Sequence, residues 1–165
     1  MDSYIVNGIN ITESDGSIFD TRAQAIVNPV NLVGVMGAGL ALEFKQRYPD
    51  AFRVYRSQCR NRQFNLGQVL VYYIYPKNTP PMNPEMIIHF PTKFHWKESS
   101  DYGIIEEGLD ALVSCINNNR IESIAIPPLG CGYGGLEREA VKTMILDSIC
   151  PKAGLYLRSI ELLQF

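Results

Sequence analysis

The strongest constraint on how this chain folds lies in two glycine-rich segments, each leaving an apolar run and entering a stretch of helical periodicity. The first reads Val27-Asn28-Pro29-Val30-Asn31-Leu32-Val33-Gly34-Val35-Met36-Gly37-Ala38-Gly39, the second Pro127-Pro128-Leu129-Gly130-Cys131-Gly132-Tyr133-Gly134-Gly135. Strand, glycine loop, helix is the plan of an α/β sheet whose ligand loops gather at the carboxyl ends of its strands. Glycines let backbone approach an anion, and the following helix offers free N–H groups and the positive end of its dipole. Two such loops suit a diphosphate held between them; either alone also makes a tight strand-to-helix turn. Asn28 and Asn31 either cap that turn or meet sugar hydroxyls.

The rest of the pattern fits this plan. Apolar or alternating runs at residues 4–11, 25–28, 69–75, 86–90, 121–126 and 155–163 predict strands. Leu40, Phe44 and Tyr48 form a helical stripe that Pro49 stops. Ile105, Leu109, Leu112, Val113 and Ile116 form a second, and Leu136, Ala140, Met144 and Ile145 a third. The proline-rich stretch 76–84 reads as a strand-to-strand loop. Strands alternating with helices imply an α/β fold: a three-layer α/β/α sandwich on a mixed, mostly parallel sheet. At 165 residues the chain amounts to one domain, 1–165.

Several function classes are excluded or disfavoured. No apolar run reaches the ~18 residues of a membrane span, and Met1-Asp2-Ser3-Tyr4 lacks a signal-peptide plan. The four cysteines lie far apart, and only His89 and His95 are available as imidazole ligands. That disfavours a metal site and suits a reducing cytoplasm. The Walker pattern is absent. Gly130-x-Gly132-x-x-Gly135 falls late in the chain with no acidic residue about 20 positions on, which weakens a dinucleotide-dehydrogenase reading.

Two further features point to chemistry. The segment Phe90-Pro91-Thr92-Lys93-Phe94-His95-Trp96 sets a lysine just past the end of a buried-looking strand. A lysine there can meet a ligand as nucleophile or base, or lie as a surface residue along Trp96. Between Glu43 and Arg62 the balance is +4 against a net charge of −2, leaving −6 for the rest of the chain. Such a patch faces phosphates, or is simply a solvated helix face.

Together these segments resemble the macro domain, the ADP-ribose-binding α/β/α fold, from about Gly16 onward. More closely, residues 27–44, the Phe-Pro-Thr-Lys-x-His-Trp string and residues 126–136 resemble its DNA ADP-ribosyl glycohydrolase antitoxin branch. The resemblance implies a hydrolase that frees ADP-ribose from an N-glycosidic linkage on nucleic acid, in the first place ADP-ribosylated DNA, without cofactor or metal. By the same resemblance Ser17 and Ile18 lie by the adenine, and Asn31 touches the distal ribose. Gly37, Ala38, Gly39 and Leu40 wrap ribose and diphosphate from one side, with Gly130, Cys131, Gly132, Tyr133 and Gly134 on the other. Thr92 contacts substrate and Lys93 is the catalytic residue at the anomeric carbon.

Three departures from the family pattern matter. Ser17 replaces an acidic or amide residue, which loosens adenine selectivity. Gly134 stands where a related animal glycohydrolase carries an aspartate. Glu137-Arg138 replaces an acidic or amide residue followed by tryptophan. The resembled antitoxins also bind an ADP-ribosyltransferase toxin through a further domain, for which no segment is present here, so stand-alone enzyme activity is the expectation. A reader that binds ADP-ribose without cleaving it stays open, as does a hydrolase of ester-linked ADP-ribose on protein or of an ADP-ribose phosphate ester.

Overall fold

The computed structural model describes residues 2–76, 79 and 82–165. Seven strands form one mixed sheet: β1 (Asp2–Val6), β2 (Ile9–Ser14), β3 (Ala25–Val30), β4 (Leu70–Tyr73), β5 (Met86–Pro91), β6 (Ser123–Ile126) and β7 (Ser159–Leu163), in the order β1-β2-β7-β6-β3-β5-β4. The inner pairings β2–β7, β7–β6, β6–β3 and β3–β5 are parallel, and each edge strand is antiparallel to its neighbour. The helices are α1 (Gly39–Arg47), α2 (Pro49–Arg60), α3 (Tyr102–Asn118) and α4 (Arg138–Ile149), with a 3-10 turn at Ile18–Asp20.

Side-chain alternation along the strands divides the core. Ala25 and Val27, Ile88 and Phe90, Ile124 and Ile126 face α3 and α4. Ile26, Ile87 and Ala125 face the other way, with Phe44 and Ala51 of α1 and α2. The expected sandwich therefore forms, with a helical layer on each face. One contact fixes how closely α3 approaches. A Cβ on Gly108 would sit 2.3 Å from Phe90 Cζ, so the aromatic ring of β5 lies against bare helix backbone.

Several expected elements differ in detail. Residues 4–11 are not one strand but the turn of the β1–β2 hairpin, with Asn7 and Gly8 at φ +49° and +80°. Asn-Gly is the preferred pair for such two-residue turns. The basic stretch 43–62 is broken at Tyr48: α1 ends at Arg47, and Pro49 opens α2, where its missing N–H costs nothing. The last strand starts at Ser159, leaving Leu155 73% exposed. The proline-rich loop does join β4 to β5, although residues 77, 78, 80 and 81 lie outside the described set. No described helix is long and apolar enough to cross a membrane.

Candidate active site

Because β2, β7, β6, β3 and β5 run parallel, their carboxyl ends share one edge of the sheet. Four loops leave that edge: 15–17 after β2, 31–38 after β3, 92–101 after β5 and 127–137 after β6. They carry every residue expected at the site except three, since Ile18 opens the 3-10 turn after the first loop and Gly39 and Leu40 lie in the first turn of α1. From β2 to β5 there are four strand spacings, about 19 Å at roughly 4.8 Å each. Ser17 thus lies at one end of an elongated edge, Lys93 at the other, and the two glycine loops between them.

Backbone contacts tie the loops into a unit. Thr92 N donates to Val30 O (2.9 Å), extending the β3–β5 ladder past both strands, and Leu32 N donates to Phe94 O (2.8 Å). Ser100 joins the second pair of loops: its N–H reaches Gly134 O (3.0 Å) and its hydroxyl Thr92 O (2.6 Å). Lys93, half-buried, therefore lies between two residues whose backbones are held by hydrogen bonds, Thr92 and Phe94, rather than riding a free loop. It makes no ion pair among the described residues. Lys97 lies over Trp96, its Nζ 5.1 Å from a ring of the indole.

The first glycine loop is built by Asn31. Its Oδ1 accepts from Val33 N (3.2 Å) and Val35 N (3.4 Å), and its Nδ2 donates to Val35 O (2.8 Å). Tyr55 of α2 closes the arrangement, its hydroxyl within 2.8 Å of Asn31 O and 3.0 Å of Oδ1. Asn31 thus caps the turn, the first of the two roles open to it. Gly37, Ala38 and Gly39 are exposed beyond it, and α1 starts at Ala38 with no side chain capping its first turn. Those N–H groups are free for an anion. Leu40 is half-buried beside them.

Beneath the loop, Asn28 and His89 are paired across β3 and β5 and fully buried, with Asn28 Nδ2 3.2 Å from His89 Nδ1. Asn28 therefore takes neither of the roles considered for it. Burial pushes the imidazole down to about 3, so His89 is neutral, with its Nδ1 accepting. Neither residue reaches the edge where the loops open.

The second loop is shaped by close approach. Gly130 has φ +72°, and a Cβ there would meet Ser100 Oγ at 2.8 Å. A Cβ on Gly134 would sit 2.4 Å from Gly130 O, so no residue with a side chain fits this conformation, the family's aspartate included. Gly132 and Tyr133 are exposed, Tyr133 at 85%. Cys131 is half-buried, burial raises its thiol pKa, and Sγ lies 3.5 Å from Leu129 O. That is a packing side chain, not an activated nucleophile. Among the described residues no group of three or more His, Cys, Asp or Glu comes together to hold a metal.

Two of the residues expected at the ligand are buried. Ile18 is 4% exposed and packs in the core with Phe44 and Leu163. Thr92 is equally buried, its carbonyl held by Ser100. Ser17 is exposed and caps the 3-10 turn, accepting from Phe19 N (3.2 Å). A pocket of about 390 Å³ near the amino ends of β6 and β7, lined by Thr21, Arg22, Ser123, Ile124, Ile160 and Glu161 among others, holds none of the expected residues. Tyr55 and Ser100 were not singled out from sequence. The apolar spacing of Ala51, Tyr55 and Cys59 could have revealed the first, and no local signal marks the second.

Comparison with known proteins agrees with this arrangement. The macro domain family pattern matches residues 27–145, and the chain belongs to that family. A DNA ADP-ribosyl glycohydrolase of Thermus aquaticus is 42% identical over 134 residues, covering 81% of this chain and 36% of that protein. The chain thus spans little more than a third of the length of the curated relatives it matches. The solved macrodomain of Mycobacterium tuberculosis DarG superposes with a TM-score of 0.87 at 35% identity, covering 96% of this chain and all of that one. Thermosipho africanus DarTG, solved in complex with ADP-ribose, gives 0.82 at 30% identity, covering 99% of this chain and 44% of that one.

Proposed function

We propose that this chain binds ADP-ribose along the carboxyl edge of its sheet and hydrolyses the bond joining the distal ribose to a DNA base. The observation that carries the reading is the linear order of the loops. Ser17 stands at one end, two anion-suited glycine loops in the middle, and a lysine fixed by its strand at the other. That order matches a ligand with a base at one end, a diphosphate in the middle and a reactive sugar at the far end.

In the reaction a water oxygen bonds to the anomeric carbon as the carbon–nitrogen bond breaks, and one water proton ends on the base nitrogen. Lys93 Nζ acts at that carbon, and the backbone donors of both loops hold the diphosphate so that the sugar cannot drift. The fold leaves no place for an acid at Gly134, which concentrates the chemistry on Lys93. Exposed Phe94 and Trp96 beside it, 55% and 49% accessible, offer an apolar rim suited to a base. No cofactor or metal enters this scheme. Three of the four free cysteines are buried, which supports a reducing, cytoplasmic setting.

The test sets ADP-ribosylated DNA, ADP-ribosylated protein and an ADP-ribose phosphate ester side by side against the parent and Lys93→Ala. The parent should release ADP-ribose fastest from DNA. The variant should fall by about 10²-fold or more, the scale of a lost acid–base or nucleophilic group, with stability within roughly 1 kcal/mol. A Lys93→Ala protein as fast as its parent would leave a different residue in charge. A parent that binds ADP-ribose and cleaves none of the three would be a reader.

A further inference from the structure

Helix α2 carries Arg53, Arg56 and Arg60 at i, i+3 and i+7, a spacing that sets them on one stripe, and Arg62 follows just beyond its end. Among the described residues only Arg53 has an acidic partner, Asp50. The positive charge of Arg56, Arg60 and Arg62 is therefore uncompensated. A solvated helix would carry such charges anywhere; here the stripe is locked to the ligand cleft. Gly34 of the first glycine loop lies against α2, where a Cβ would be in van der Waals contact with Arg56 Cγ (3.5 Å) and Cys59 Cβ (3.4 Å). Tyr55, next to Arg56 in the chain, holds Asn31 of the same loop. On its other side Arg56 lies over the Phe52 ring, 5.3 Å from its centre, and Lys45 of α1 lies 4.6 Å from the same ring. The basic stripe thus starts at the loop that wraps the distal ribose and leads away from it.

We propose that this stripe carries the backbone phosphates of the DNA strand flanking the modified nucleotide, with Arg56 nearest the cleft and Arg60 and Arg62 further along. The proposal rests on the DNA reading of the site, since only a polymeric substrate has phosphates to place there. Charge complementarity argues for a polyanion: Arg56, Arg60 and Arg62, none with an acidic partner among the described residues, follow one another along α2 and just past its end, starting beside the first glycine loop. A phosphate polymer gains from each contact by counterion release, which gives binding a salt dependence that free ADP-ribose lacks.

The experiment compares the parent, Arg56→Glu/Arg60→Glu and Arg60→Glu/Arg62→Glu, the last touching nothing in the glycine loop. Binding of a fluorescein-labelled, unmodified 12-nucleotide oligothymidylate is followed by anisotropy from about 50 to 200 mM salt, with ADP-ribose binding measured by calorimetry. Three phosphate contacts predict a log–log slope near −2 for the parent, about 15-fold weaker binding across that range. Each double reversal should flatten the slope by about 1.4 and weaken oligonucleotide binding at least tenfold at low salt, and Arg60→Glu/Arg62→Glu should leave ADP-ribose affinity unchanged. Equal oligonucleotide affinity and slope in parent and Arg60→Glu/Arg62→Glu would overturn the proposal. A parent whose oligonucleotide binding the reversals abolish, but which cleaves no ADP-ribosylated DNA, would leave the stripe standing and refute the hydrolase reading instead.

Discussion

Replacing Gly134 by alanine tests whether the second glycine loop is a rigid ligand cradle or an ordinary surface turn. The added Cβ would lie 2.4 Å from Gly130 O, where a carbon and a carbonyl oxygen approach no closer than about 3.3 Å even in favourable contact. The chain must give by roughly 0.9 Å. Neither partner is free to move. Gly130 O accepts from Leu136 N (2.9 Å), Gly134 O accepts from Ser100 N (3.0 Å), and Gly130 itself is wedged against Ser100. Overpacking of this kind costs about 1–3 kcal/mol, or a fall of roughly 3–10 °C in Tm for a chain of this length. A donor displaced by 0.9 Å from a bond of about 2.9 Å no longer makes it. Losing two charge-assisted bonds to a diphosphate, at about 1.5–3 kcal/mol each, weakens binding by 100-fold or more. Calorimetry with ADP-ribose and a thermal melt read the two effects separately. Gly132→Ala, which meets no protein atom within 4 Å, is the stability control and should melt with the parent. If Gly134→Ala also melts with the parent and binds ADP-ribose within threefold of it, the loop is not the rigid cradle described.

Three other outcomes follow from buried contacts. Burial holds His89 near 3, below its unfolded value of about 6.5, so the unfolded chain takes up a proton that the folded one refuses. That contribution is complete above pH 6.5 and is lost as pH falls towards 3. Urea titrations should show about 1 kcal/mol lost between pH 6 and 5, and His89→Gln should flatten this step. Glu13, whose carboxyl Lys142 holds below its ordinary 4.5, loses its stabilising contribution only in a more acidic window. Tyr55→Phe removes the hydroxyl that satisfies Asn31, so it should cost about 1–3 kcal/mol in urea unfolding and measurably weaken ADP-ribose binding. Gly108→Ala drives a methyl into the Phe90 ring at 2.3 Å and should destabilise by about 1–3 kcal/mol, against the usual gain of a helical glycine-to-alanine change. A more stable Gly108→Ala would mean that α3 is not seated on β5 as described.

The sequence by itself determined the layer plan and the sheet edge on which the candidate loops gather. Periodicity is local, so alternation in Ile26, Val27 and Ile124–Ile126, and helical spacing in Ile105 to Ile116, specify which faces are buried without knowledge of the partners. Glycine loops after strands specify an edge, and the lysine two residues past Phe90-Pro91 specifies a place on it. The hairpin at Asn7-Gly8 was equally local, although an apolar run through it masks the turn. The tertiary structure decided what depends on contacts between distant residues. That Asn31 is held in its own loop depends on Tyr55, 24 residues away. That Gly134 excludes a side chain depends on the curl that returns it to Gly130, and that Ser100 joins two loops depends on the order of β5 and β6 across the sheet. The basic stretch shows the division most plainly. Its charge is countable in the chain, but its position beside the cleft comes from the packing of α2 on the first glycine loop, where Tyr55 bonds Asn31 and Gly34 faces Arg56 and Cys59.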